Sequence, residues 1–213
     1  MAQTDTGAAR PPALWDRIVR ISHWGIVIVI LANEIFTRGG SPTHVWFGWG
    51  GLVLLAIRML WGVIGTQEAR FSAFPPNALA ARRHMKQLMI GKPASYRSHN
   101  PAGAMMAYAL WACIAVMVST GLTMSGANPF SVAQRQAIVD GGDWSQLAQT
   151  EAAGEDEGDG WVKDVHEITA NLIWLLVALH VGGVIVESVA MRHNLLAPML
   201  LGRRKVKAAK LGK

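Results

Sequence analysis

Between Glu167 and Glu187 the chain runs nineteen residues without a formal charge. An apolar helix needs about 20 residues to cross the hydrocarbon core of a bilayer, so this run has the length of a membrane crossing. Yet His166 stands at its start and His180 lies well inside it. Any account of the chain must explain two imidazoles on one membrane helix.

The remaining composition points the same way. Of the 213 residues 51% are hydrophobic and only 16% charged, and the apolar runs are too long for an ordinary soluble core. Nine tryptophans suit a membrane protein, where Trp collects at the interfaces. The net charge of +6 would point to nucleic acid in a soluble chain. Here the charge sits in loops and tail, where it reports topology, so no nucleic-acid partner is expected. The single cysteine, Cys113, permits no internal disulfide and no Cys-x-x-Cys-His site for covalent haem attachment. It reads as a small packing residue. The first apolar stretch is followed by ANEIFTRGG, which is not a signal-peptide cleavage site.

Four segments of membrane length are expected, at about 18–36, 44–65, 101–125 and 165–190. The first reaches spanning length if Arg17 and Arg20 snorkel to the interface. Gly and Pro punctuate the joins at Gly39-Gly40-Ser41-Pro42, Pro75-Pro76 and Asn100-Pro101. The connection 66–100 carries six Lys/Arg against one acid, Glu68, and the tail 191–213 carries seven basic residues and no acid. The loop 126–164 holds eight acids and two basic residues, Arg135 and Lys163. By the positive-inside rule, both termini and the middle connection are cytoplasmic, and the acidic loop faces the other compartment. The composition of that loop, GEDEGDG at 154–160 above all, predicts a mobile segment. The whole chain, 1–213, reads as one membrane domain of the all-α class.

Fourteen residues on a helix turn about 1400°, within roughly 40° of a whole number of turns, and rise about 21 Å. His166 and His180 therefore share one face at two depths. His44 and Arg58 repeat the spacing on the second segment. With the topology above, His44 and His166 fall near the outer surface, and His23 and His180 towards the cytoplasmic side. Two imidazoles at equal depth on facing helices can clamp a flat macrocycle through its iron, a familiar use of a bundle core. Haem held by two histidines has both axial positions filled and suits electron transfer. The plainer alternative is that each histidine only hydrogen-bonds a neighbouring helix.

The stretches LWDRIVRISHW, HVWFGWGGLVLLAIRMLWG, SHNPAGAMMAYALW and VHEITANLIWLLVALHVGGVIVES resemble the bacterial cytochrome b561 family, which includes the cytochrome b subunits of nickel–iron hydrogenases. The resemblance implies a four-helix bundle in the bacterial inner membrane, with two b-type haems ligated by helices one, two and four. His23, His44, His166 and His180 fall on the family's ligand positions. The long acidic loop departs from the compact members.

Arg58, costly inside a bilayer, calls for a partner: either a haem propionate or the inner headgroups. Arg20, three residues before His23, has the same two readings, the second as a topology signal. Gly48, Gly51, Gly103 and Gly121 would admit a porphyrin face, though small residues are common in any membrane helix packing. His84, His99 and His193 read as solvated or cap-like, and Trp144 and Trp161 as interfacial anchors. The expected function is electron transfer across the lipid bilayer, between quinone or quinol and a redox partner such as a basic cytochrome c drawn to the acidic loop. Alternatives are an anchor subunit for a hydrogenase or other dehydrogenase, and a superoxide oxidase coupled to quinone reduction. The negative outer loop argues against an anionic substrate. A haem-free metal or proton transporter would need a polar pathway that Asn33, Ser119, Thr120 and Asn171 hardly supply.

Overall fold

The computed structural model describes residues 16–91, 94, 96, 98–142, 145, 159–192 and 194–201. Trp144, His193, the acidic run 154–158 and the basic tail from 202 onward lie outside the described residues. Seven α-helices are described: α1 Arg17–Phe36, α2 Pro42–Ile64, α3 Ala78–Met89, α4 Pro101–Met124, α5 Pro129–Asp140, α6 Asp159–Ala190 and α7 Leu196–Leu201. A 3-10 turn, Phe71–Ala73, lies between α2 and α3, and no strand occurs among the described residues. Helices α1, α2, α4 and α6 are long and apolar enough to cross a membrane. Large apolar side chains such as Ile28, Val53, Leu60, Leu175 and Ile185 are exposed on them, as lipid contact requires.

Short polar residues set where these helices begin. Asp16 Oδ1 accepts the Val19 amide at 2.9 Å, and Asn100 Oδ1 accepts the Gly103 amide at 2.7 Å. Asn128 accepts the Phe130 amide at 2.9 Å, and Pro follows at the first helical position in α2, α4 and α5. A side-chain acceptor satisfies one of the orphaned amides, and Pro there has no amide to lose.

Three helices occupy stretches where the sequence predicts only connection. Residues Pro129–Asp140, within the segment expected to be mobile, form α5, and Phe130 packs edge-on against Trp46 at 5.3 Å. Helix α6 begins at Asp159 rather than near 165. Lys163 and Glu167 pair at 3.8 Å one turn apart there, a small helix-favouring interaction on an exposed face. The middle connection holds α3, capped by Asn77, and α7 follows the last span.

The chain divides into two compact units. The first takes the described residues of Met1–Arg20, Leu60–Tyr108 and Ala178–Lys213; the second is Ile21–Met59 with those of Ala109–Val177. In the second, parts of α1, α2, α4 and α6 pack around Leu55, Ile114 and Ile173, flanked by Ile26, Ile30, Met59, Met117 and Val177. Cys113 joins that packing as a free thiol. The first unit buries Ala69 and Phe74 and stacks Phe71, Phe74 and Tyr108 with centroids 6.0 to 6.3 Å apart. Gly62 lets α2 touch that cluster, because a Cβ there would run into the Phe71 ring.

Candidate functional site

His44 stands in the first turn of α2 and His166 in the second turn of α6, both in the second unit. Their ring centroids lie 6.2 Å apart with the planes inclined at 61°. Each ring is held by a hydroxyl: Thr120 Oγ1 is 2.8 Å from His166 Nδ1, and Thr37 Oγ1 is 3.3 Å from His44 Nδ1. A metal–imidazole bond of about 2.0 Å on each side, plus about 1.1 Å from nitrogen to ring centre, separates two axial imidazoles by about 6 Å. The observed spacing matches a shared metal between the two rings. Edge-to-face ring pairs occupy the same range, about 4.5–7 Å between centroids.

The surroundings suit a planar group. Gly121 faces the His166 ring, where an added Cβ would sit 3.6 Å from Cε1. Gly48, one turn after His44, has nothing within 4 Å of its Cβ position. Gly51 meets Val29 at 3.4 Å, so it serves helix packing, and Gly103 meets the side chain of its own cap, Asn100. Trp49 Nε1, in the same unit, is a buried donor with no partner among the described residues. A buried donor is costly unless it finds an acceptor, and the carboxylates of a porphyrin are acceptors.

Arg58 is 4% exposed, and its guanidinium carbon lies 4.7 Å from the centre of the Trp111 ring. It does not snorkel; a cation over an indole face inside the protein is the arrangement found. Arg20 reaches the end of α7. Its Nε and Nη2 donate to the carbonyls of Met199 and Leu200 at 3.1 and 2.7 Å, which caps the C-terminal end of α7. His23 lies in α1 within the second unit, edge-on to Trp24 at 5.2 Å, and His180 lies in α6 within the first.

A model of the family described as prokaryotic cytochrome b561 matches residues 14–202. The chain belongs to that family. No curated protein and no solved structure compared with it gave a match. Membership makes this cytochrome b561 a multi-pass membrane protein whose family transfers electrons across the bilayer through b-type haem. The donors fit that group: two imidazoles on different helices, glycines beside them and a buried indole donor in the same unit. Among the described residues no three His, Cys, Asp or Glu side chains converge as a metal site of another kind.

The first unit holds polar contacts that the sequence pattern did not single out. Asp16, besides capping α1, accepts from Trp61 Nε1 at 2.8 Å and Thr66 Oγ1 at 2.7 Å. Burial pushes its carboxyl up, but the bonds from Trp61, Val19, Thr66 and Ile18 prevail and hold it below the usual carboxylate value. An Asp directly before an apolar helix is a start signal, which could have revealed it. His84 is not solvated. It is 1% exposed, edge-on to Tyr96 at 5.4 Å, with Nε2 3.7 Å from Glu187 Oε1. Burial pushes the His84 imidazole down, favouring its neutral form. Glu187 also accepts a hydrogen bond from Asn100 Nδ2. His99 is half-buried against Phe74, with centroids 4.5 Å apart, and is likewise not a solvated loop residue.

Proposed function

We propose that the chain is a di-haem cytochrome b of the inner membrane, exchanging electrons between the quinone pool and a redox partner on the opposite face. The observation that carries the reading is the 6.2 Å separation of the His44 and His166 rings, which come from different helices. When bound, a b-type haem would supply a one-electron couple, and two histidine ligands would suit it to electron transfer over ligand activation. His44 and His166 hold the group nearer the outer face. His23 and His180, matched in depth by the charge topology, hold the second nearer the cytoplasm. Arg58 presents a buried positive charge fourteen residues below His44, placed for a propionate on the inner group. Both termini are cytoplasmic in this reading, and the acidic loop 126–164 faces the partner. Its charge favours a basic soluble protein such as a cytochrome c.

A reduced-minus-oxidised visible spectrum of the purified chain, with haem counted per polypeptide, tests the core of the proposal. Two b-type haems are expected. His166→Ala and His180→Ala should each retain one, and a full haem complement in either variant would refute the assignment of that ligand. Exchanging the loop acids for amides should slow reduction of a basic cytochrome c at low salt; an unchanged rate removes that partner class.

A further inference from the structure

The hydroxyls beside the His44 and His166 rings are more than contacts. Thr120 is 8% exposed in α4, and its Oγ1 lies 2.8 Å from the Val116 carbonyl and 3.1 Å from the Met117 carbonyl. Two oxygens at 2.8 Å attract only if a hydrogen lies between them, and a backbone carbonyl has none to give. The hydroxyl hydrogen therefore points to its own helix, as Thr hydroxyls often do. A hydroxyl has one hydrogen and two lone pairs, so towards His166 Nδ1 Thr120 can only accept. The imidazole must bring its proton on Nδ1.

Thr37 repeats the arrangement on the partner ring. Its Oγ1 donates to the Asn33 carbonyl at 2.7 Å and meets His44 Nδ1 at 3.3 Å. Asn33 in turn donates Nδ2 to the His44 carbonyl at 3.3 Å, tying the C-terminal part of α1 to the first turn of α2. Two threonines, one in α4 and one just past the end of α1, thus impose the same tautomer on two histidines: proton on Nδ1, lone pair on Nε2. A neutral imidazole in that form can coordinate a metal only through Nε2.

We infer that Thr120 and Thr37 are positioning residues, fixing which nitrogen His166 and His44 offer to iron and raising the electron density of those ligands. The inference rests on the ligand assignment proposed above. A ring N–H that donates a hydrogen bond makes its imidazole a more basic ligand, which favours ferric iron. The His166 ring also meets the Met117 carbonyl, so removing the threonine hydroxyl takes away one of two acceptors and should shift one haem couple to higher potential.

The test is a potentiometric titration followed at the haem absorbance, with low-spin electron paramagnetic resonance of the oxidised protein, on Thr120→Val, Thr120→Ser and Thr37→Val. Thr120→Val should raise one couple, leave the other in place and move one low-spin signal. Thr120→Ser, which keeps the hydroxyl, should restore both. Thr37→Val should act on the same couple but less, because its contact is longer. If Thr120→Val loses a haem and Thr120→Ser regains it, the inference stands; loss in both overturns it. Should Thr120→Val fail to accumulate, Thr37→Val is measured in its place. A full haem content with unmoved potentials and resonance signals overturns the inference while leaving the ligands untouched. Full haem in His44→Ala and His166→Ala overturns the ligands themselves.

Discussion

Each of the two units has its own internal chemistry, and the two are opposite in kind. The second unit packs Leu55, Ile114 and Ile173 among methionines and branched aliphatics, and also buries Ser22, Arg58, Thr120, Ser125 and Thr169. The first depends on Asp16, Arg20, His84, Asn100 and Glu187, each tied to groups distant in sequence. In lipid, apolar side chains gain little from meeting one another, so association relies on close packing and hydrogen bonds. A unit made of complementary polar contacts can hold itself. The other brings the His44 and His166 rings to 6.2 Å, the separation on which the proposed haem site rests.

The sharpest way to break that contrast is to remove a ligand. His166→Ala should halve the haem per chain without unfolding the first unit, measured by pyridine haemochrome and helical circular dichroism; collapse of both units together would deny the distinction. Glu187→Ala should do the reverse. It strands Asn100 and His84 in a buried setting, a loss of about 3 kcal/mol in detergent unfolding, with the His44–His166 haem retained. Glu187→Gln keeps an acceptor for Asn100 and should recover part of that loss. Gly62→Ala drives a methyl into the Phe71 ring, for about 2 kcal/mol of overpacking read from thermal unfolding. Asp16→Ala should cost about 1 kcal/mol as a lost helix cap.

Asp16 also carries a pH dependence. Its folded value lies below the ordinary 3.8, so the folded chain binds that proton less tightly than the unfolded one. The contribution is therefore complete above the ordinary value and fades as pH falls through the lower folded value. Asp16→Asn should flatten the acid limb of the stability profile; an identical limb would mean that other groups set it.

Helix existence was legible in the sequence wherever apolar length decided it. The spans begin and end within a few residues of the expected limits, except that α6 starts at Asp159, because a polar but helix-compatible turn precedes the charge-free run. Helices α3 and α5 were not legible as such. They are short, and each depends on a cap and on contacts such as Phe130 with Trp46. His84 was misjudged for a related reason: a histidine in a basic loop looks solvated until Tyr96 and Glu187 are seen to cover it. Arg20 was placed by its neighbour His23, whereas its partners lie some 180 residues away in α7.

By itself, the order of residues determined that the chain crosses a membrane, how its charges divide among the connections and which histidines repeat on a helix face. Those properties depend on hydrophobic length, charge count and helical period, all of which are local. Only the tertiary structure decided that His44 faces His166, that Thr37 and Thr120 lie against their rings, and that Arg58 lies over Trp111. Each of those facts joins helices, or turns of one, through contacts a few ångströms long. Such contacts depend on how helices rotate and approach, which no periodicity along a single helix specifies.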